Sequence, residues 1–344
     1  MEDQKKVFKF PDNTTFVRFI GVQFKIEVDD FRTGFPSHVE KFYKDTNPGD
    51  FILFPEDIGL LTAFAGMKAQ SSLEAIQALY SKDQRKIDSI AKENEIQNFT
   101  TAIFLSLTDL FVRKFYNFFS SLSKEYSVHT LACNNMPRFE KKGENWEFSV
   151  ARVYNTAFVF GTSGELLFRQ DKVFPTAMES DLGISGGDIS TVSPFKLDEK
   201  KIGIAISLDA FEPVYMSKLE DAYLIIQPDA NPGKWNSFLS NGRWQPEEWM
   251  DSAYHITQRM ERIKNVINPM MVGNLLDIRF EGQSSITKKA EVGDTRMSYI
   301  GNLPVTGFHS LTGIPGYGLN EYVDRDTVSN KSLDYEEGTV EIEL

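Results

Sequence analysis

Along this chain, runs of apolar residues alternate with stretches of helical spacing, the order expected of mixed α/β organisation. From Phe16 to Ile26, Val17, Phe19, Gly21 and Gln23 alternate with Arg18, Ile20, Val22 and Phe24. Both faces are largely apolar, which predicts a buried first strand. Ser37 to Lys44 reads as a helix with Ser37 as its cap. Asp50 to Phe54 is a second, short strand that stops at Pro55-Glu56, because proline cannot extend a hydrogen-bond ladder. Asp57 to about Tyr126 holds two or three helices; the best carries Phe104, Leu107, Phe111, Phe115, Phe118 and Leu122 in one stripe, a core-packing pattern. Val128 to Cys133 is the next strand. Ala151 to Phe160, the turn Thr162-Ser163-Gly164 and Leu166 to Phe168 form a hairpin. Lys201 to Leu208 is a strongly buried strand and Tyr223 to Gln227 another. Pro246 opens a helix with Trp249, Ala253, Ile256, Met260 and Ile263 on one face. Met270 to Phe280 and Ser284 to Thr287 close the sheet, and no internal repeat is present.

Composition narrows the class. The chain has 344 residues, 41% of them hydrophobic, and a formal net charge of −12. That sign, with no basic stripe, argues against nucleic-acid binding. The stretch from Glu321 to Leu344 holds eight acids against Arg325 and Lys331 and reads as a solvated acidic tail or partner-covering arm, residues 321–344, after a single domain over 1–320. One cysteine, Cys133, precludes an internal disulfide framework. The N-terminal Met-Glu-Asp-Gln-Lys-Lys lacks the apolar core of a signal peptide, and no apolar run approaches membrane-span length. A soluble cytoplasmic protein with no membrane partner is expected.

The common signatures of chemistry are missing: there is no P-loop and no HExxH. His38, His129, His255 and His309 show no metal-ligand spacing, so no metal or other cofactor is expected. What remains is a set of polar groups at the ends of buried strands, where ligand sites of layered α/β proteins often lie. Glu56 ends the second strand, Lys172 follows the hairpin, and Ser207 and Asp209 end the most apolar strand. Singly, each has an ordinary explanation as a turn acid, a surface lysine or a packed hydroxyl.

Together they form an ordered set. Phe51-Ile-Leu-Phe-Pro-Glu56 is followed by Tyr154-Asn-Thr-Ala157 and Arg169-Gln-Asp-Lys172, then Pro175-Thr176 and Glu179, then Lys201-Ile-Gly-Ile-Ala-Ile-Ser207-Leu-Asp209, and, more weakly, Gly282-Gln-Ser-Ser-Ile286. Over about residues 16–290 this resembles the nitrilase superfamily of carbon–nitrogen hydrolases. The resemblance implies an α/β fold built as a four-layer α-β-β-α sandwich. It implies Glu56 as general base, Lys172 as the group that stabilises the tetrahedral intermediate, Ser207 in the nucleophile's place and Glu179 as a second glutamate orienting substrate or the acid–base step. The backbone N–H of Leu208 would join Lys172 in holding the oxyanion. The chemistry fits those roles: attack on an amide or nitrile carbon needs an activated nucleophile and a base, and fixed donors where charge develops lower the barrier.

Serine stands at 207 where the family has cysteine. An alcohol is far harder to ionise than a thiol, so the chain is expected to be inactive or very slow. Retention of Glu56, Lys172 and Glu179 favours replacement of the nucleophile in a working enzyme. The alternative is a natural pseudoenzyme, a binding or scaffold protein, or an unusual serine hydrolase. Cys133 is read as a buried structural thiol.

Residues on loops and strand ends supply the candidate substrate pocket: Leu60, Phe64, Asn134, Asn135, Met178, Phe211, Asn231 and Trp235, with ordinary loop packing as the competing reading for each. The expected partner is a small-molecule substrate: an amide or N-carbamoyl compound, with a nitrile close behind. Leu-Asp-Ala-Phe-Glu-Pro after Ser207 lacks the Trp-Glu of typical nitrilases, whereas Pro175-Thr176 supports them. The resemblance further implies a homodimer or larger homo-oligomer, paired through helices near Ser207; Val214-Tyr215-Met216 suits such a face or the core.

Overall fold

The computed structural model describes residues 16–235, 237–243, 245–289, 298–301, 307–311 and 335–344; the side chains of His255 and His309 lie outside the described residues. Within them the chain builds two sheets. β1 (Arg18–Ile26), β2 (Phe51–Leu53), β3 (His129–Lys142), β4 (Asn145–Phe160) and β5 (Leu166–Asp171) belong to the first. β6 (Phe195–Leu197), β7 (Lys200–Ile204), β8 (Leu224–Ile226) and β9 (Asn265–Asn268) belong to the second. The chain then returns to the first sheet with β10 (Met271–Leu275) and β11 (Ile278–Phe280), and to the second with β12 (Ser284–Lys288), β13 (Ser298–Gly301) and β14 (Gly307–Leu311). The strand orders are β11-β10-β1-β2-β3-β4-β5 and β13-β14-β12-β9-β8-β7-β6.

The alternation read from β1 explains the layering. Phe19 of β1, with Phe51, Leu53, Leu131 and Val159, meets Ile202, Ile204, Leu224, Ile226 and Ile267 of the second sheet in one core. Val22 and Phe24 point the other way, into a second core under the helices that precede β3. The outer face of the second sheet is covered by Tyr215, Met216 and Leu219 and by Ala253 and Ile256 of the helix Gln245–Arg259. The result is the expected four-layer α-β-β-α sandwich. Gly21 leaves no room for a side chain: a Cβ there would lie 3.0 Å from Val340 Cγ2 on the neighbouring strand and 3.1 Å from Ile267 Cγ2 on the facing sheet.

The aromatic stripe is core, with one shift. The helical run passes through a π-turn at Val112–Tyr116, and Phe119, rather than Phe118, is then fully buried with Phe115. The wider turn rotates the following residues relative to a regular helix. The β3–β4 hairpin runs well past the predicted Val128–Cys133 and Ala151–Phe160, because backbone pairing continues through polar residues such as Glu140 and Glu147 that carry no apolar alternation.

The C-terminus corrects a sequence expectation. Residues 321–334 lie outside the described residues, but Gly338–Glu343 is not a solvated tail. It forms β15, antiparallel to β1, with Val340 and Ile342 buried between the sheets. Alternation decides this: the acids Glu341 and Glu343 flank the apolar positions and face outward. His38 fastens the segment, with Nδ1 2.8 Å from Asp30 Oδ1 and Nε2 against Glu337, which Lys41 also meets.

Burial alone would lower the His38 pKa, but the two carboxylates outweigh it and raise it from 6.5 to about 9. A raised folded-state pKa stabilises fully below the unfolded value, and the gain is lost as pH rises through the folded one. We expect wild-type stability to fall by about 2 kcal/mol more than that of His38→Gln between pH 6 and pH 10, a figure already reduced for partial solvation. Urea titrations of both proteins measure it, and parallel pH profiles would refute the latch.

Candidate active site

Three of the four catalytic candidates lie just past the C-terminal end of a strand, and the fourth, Glu179, lies on the short helix Ala177–Asp181. Glu56 follows β2, Lys172 follows β5, and Ser207 follows β7. Their convergence is visible in bonds. Lys172 Nζ donates to Glu56 Oε1 at 2.8 Å and to Glu179 Oε2 at 2.7 Å. All three are buried; Lys172 is 1% exposed and Glu56 3%. Glu179 is fixed from its own helix: its carboxylate caps the Thr176 N–H at 2.7 Å while the Thr176 hydroxyl accepts from the Glu179 N–H, a reciprocal capping box.

Asn155, on β4, is a member that the sequence reading missed. Its Nδ2 donates to Glu56 Oε1 at 2.7 Å and to Glu179 Oε1 at 2.9 Å, and its carbonyl accepts from the Lys172 N–H at 2.8 Å. A polar pair, Asn155-Thr156, inside the otherwise apolar run Val153 to Phe160 was the available signal. Glu56 Oε2 accepts from the Ala230 N–H at 3.1 Å, which ties the first sheet's acid to the loop after β8.

Ser207 does not extend its strand as predicted. β7 ends at Ile204, and Ser207 opens the short helix Ser207–Phe211 at a φ of 48°. That left-handed conformation is costly for a residue with a side chain and is found where surrounding structure imposes it, often at functional turns. Its N–H donates to the Pro228 carbonyl at 3.1 Å. Leu208 lies in the first turn, where backbone N–H groups have no intrahelical acceptor. Asp209 accepts from the N–H groups of Val173 (3.1 Å) and Phe174 (2.8 Å), so the loop leaving Lys172 is pinned to the turn that carries Ser207.

Titration is governed by too many acids in too little water. Burial pushes Glu56 up; Lys172 counteracts this, while Glu179, Asp57 and Asp229 add to it. Burial would lower Lys172, but the carboxylates of Glu56 and Glu179 reverse this and hold it charged. Glu179 is lowered despite its burial, chiefly by Lys172 and the Asn155 amide. Burial raises both Asp57 and Asp209 to about 7. Cys133 is fully buried and raised by desolvation, an inert thiol as expected.

Of the eight lining candidates, Leu60, Phe64, Asn135 and Met178 meet around one cavity of about 550 Å³, closed by apolar side chains including Ile184 and Ile278. Asn135 Nδ2 donates to Asp57 at 2.9 Å. The other four do not line it. Asn134 is Asn135's strand neighbour, and alternation turns it toward Gly59, where a Cβ would lie 2.3 Å from Asn134 Cγ. Phe211 packs on Trp249 and lines a separate groove. Asn231 braces its loop, donating to the Glu281 carbonyl and accepting from Gln245 Nε2. Trp235 is 1% exposed, enclosed by Met270, Val272 and Tyr335. Loop position alone did not distinguish lining from bracing.

No family model matches the chain, and no curated protein matches it by sequence. Solved structures do. A carbon–nitrogen hydrolase from Helicobacter pylori G27 is 15% identical with a TM-score of 0.54, over 80% of this chain and 82% of that one. A mutant of the Nesterenkonia AN1 amidase from the nitrilase superfamily is 12% identical with a TM-score of 0.52, over 95% and 90%. The same amidase, with acrylamide added to its active-site cysteine, is 12% identical with a TM-score of 0.51, over 79% and 85%. At these identities the likeness is one of fold.

Removing the central cation should be severe. Lys172→Met leaves two buried carboxylates unpaired and should cost about 3–5 kcal/mol in urea denaturation, with part recovered by adding Glu56→Gln. A Lys172→Met variant as stable as the wild type would contradict the charged cluster.

Proposed function

We propose that this chain, which has the fold of the nitrilase superfamily, is a hydrolase of non-peptide carbon–nitrogen bonds acting on a small amide or N-carbamoyl compound, with a nitrile as the next candidate. The observation that carries the reading is the closed Glu56–Lys172–Glu179 cluster at converging strand ends, next to the strained turn of Ser207. A buried ammonium between two carboxylates costs desolvation and contributes little net stability. A fixed cation is useful where a substrate oxygen or nitrogen gains charge.

In this reading Ser207 Oγ attacks the substrate carbon, and Lys172 with the Leu208 N–H stabilises the charge that develops. Glu56 handles protons at the leaving nitrogen and at the water that follows. Burial, which raises its pKa, suits it to hold a proton and hand it on. Glu179 and Asn155 hold Lys172 and Glu56 in place. In this reading the cavity around Leu60, Phe64 and Met178, which Glu56, Lys172 and Ser207 do not themselves line, takes an apolar group attached to the reacting carbon, with Asn135, Ser72, Thr100 and Asp181 as its polar lining. A scaffold role alone gives no reason to keep a charged cluster out of water.

The test is ammonia release over a panel of amides, N-carbamoyl compounds and nitriles, using the wild type and Ser207→Cys. At least one of the two should turn over, and Ser207→Ala and Lys172→Met should each be about 10³-fold slower. Rates should rise with the length of the apolar group until the cavity is filled, and Ile278→Trp should shift the optimum to shorter chains. Silence of both proteins on all three classes would sink the proposal.

A further inference from the structure

The carboxylate beside Ser207 is not that of Glu56. No hydrogen bond joins Ser207 to Glu56, whose Oε1 already accepts from Lys172 and Asn155 and whose Oε2 accepts from the Ala230 N–H. The carboxylate in reach of the Ser207 hydroxyl is Asp229, three residues past the end of β8. The bond from the Ser207 N–H to the Pro228 carbonyl lays the two turns side by side. Asp229 is fully buried.

Its surroundings are built for a reactive acid rather than an ion pair. Asn268 Nδ2 (2.6 Å), Trp249 Nε1 (3.0 Å) and Gln227 Nε2 (3.2 Å) all donate to Oδ2. None of them addresses Oδ1, which is buried and accepts no hydrogen bond. All three donors are neutral. Burial raises the Asp229 pKa, with the Ser207 hydroxyl, Asn268, Lys172 and Trp249 counteracting it. Phe211 stacks edge-on against Trp249, and Trp249 against Trp235, so the donor shell is itself wedged in place.

We propose that Asp229 is the proton acceptor of Ser207, so that serine is a working nucleophile of this chain rather than a disabled cysteine. The step balances as follows. The Ser207 O–H bond breaks, its proton passes to Asp229, and Oγ bonds to the substrate carbon. The C–N bond then breaks and the nitrogen leaves with a proton from Glu56, giving an ester on Ser207. Water adds to the ester carbon and returns a proton to Glu56. The C–O bond to Ser207 breaks, and Oγ recovers its proton from Asp229. The net change is amide plus water to acid plus amine. A hydroxyl needs a base in contact with it, whereas a thiol ionises readily enough to do without one. An acid beside residue 207 therefore suits serine and would hinder a thiolate.

This step rests on the proposed carbon–nitrogen hydrolysis, but it can be tested without knowing the substrate. The full chain is treated with an alkyl fluorophosphonate, which bonds its phosphorus to an activated serine oxygen and releases fluoride. Intact mass and peptide mapping should show one adduct, on Ser207. Asp229→Asn should slow labelling about 10²-fold. Should Asp229→Asn fail to fold, Asp229→Ala with added formate should recover labelling. In a Ser207→Cys background, Asp229→Asn should not slow alkylation by iodoacetamide, since removing a neighbouring negative charge favours the thiolate; a merely structural role would slow both reactions. No adduct on Ser207, or labelling at the wild-type rate in Asp229→Asn, overturns the proposal. Asp229-dependent labelling without hydrolysis of any panel member would leave the pair standing and remove the carbon–nitrogen reading. Hydrolysis unaffected by Asp229→Asn would do the reverse.

Discussion

A single ammonium placed between two carboxylates in the absence of water governs the architecture around it. Lys172 can remain charged there only while Glu56 and Glu179 stay within contact, and neither acid can remain charged without Lys172. The three reside on separate segments of chain, so satisfying them fixes the end of β2 relative to the end of β5 and to the helix starting at Thr176. Asn155 completes the arrangement by donating to both acids from the strand between, and Asp209 carries the same constraint across to the second sheet by gripping the loop after Lys172.

Around that cluster the acids outnumber the cations. Glu56, Asp57, Glu179, Asp209 and Asp229 are all more or less withdrawn from water, and the positive charge of Lys172 acts on each of them. Several of these acids therefore hold protons more tightly than usual near neutral pH. Hydrogen bonding separates two of them: both oxygens of Glu56 accept bonds, from Lys172, Asn155 and the Ala230 N–H, whereas Asp229 Oδ1 accepts none.

The inter-sheet core makes this arrangement rigid. Phe19, Leu53 and Leu131 on one sheet interlock with Ile204, Ile226 and Ile267 on the other. The close approach at Gly21 and the insertion of Val340 and Ile342 from the last strand complete the filling. The C-terminal strand is thus part of the frame that holds the two halves of the site in register, and His38 fastens it.

The sequence by itself determined the layered α/β class, the positions of the main strands and the strand-end residues Glu56, Lys172 and Ser207, because alternation, helical spacing and a proline stop are local properties that a linear pattern records; Glu179 entered through the family resemblance alone. It also contained the alternation of Gly338–Glu343, but eight acids over the last stretch masked it. Only the tertiary structure decided the rest. Whether Asn134 or Asn135 faces the cavity depends on which side of β3 meets the helices. Whether Trp235 lines or braces depends on Met270, Val272 and Tyr335 arriving from distant segments. Asp229 comes beside Ser207 because two turns from neighbouring strands are hydrogen-bonded side by side. Contacts between residues far apart in the chain are made by packing, and no local spacing encodes them.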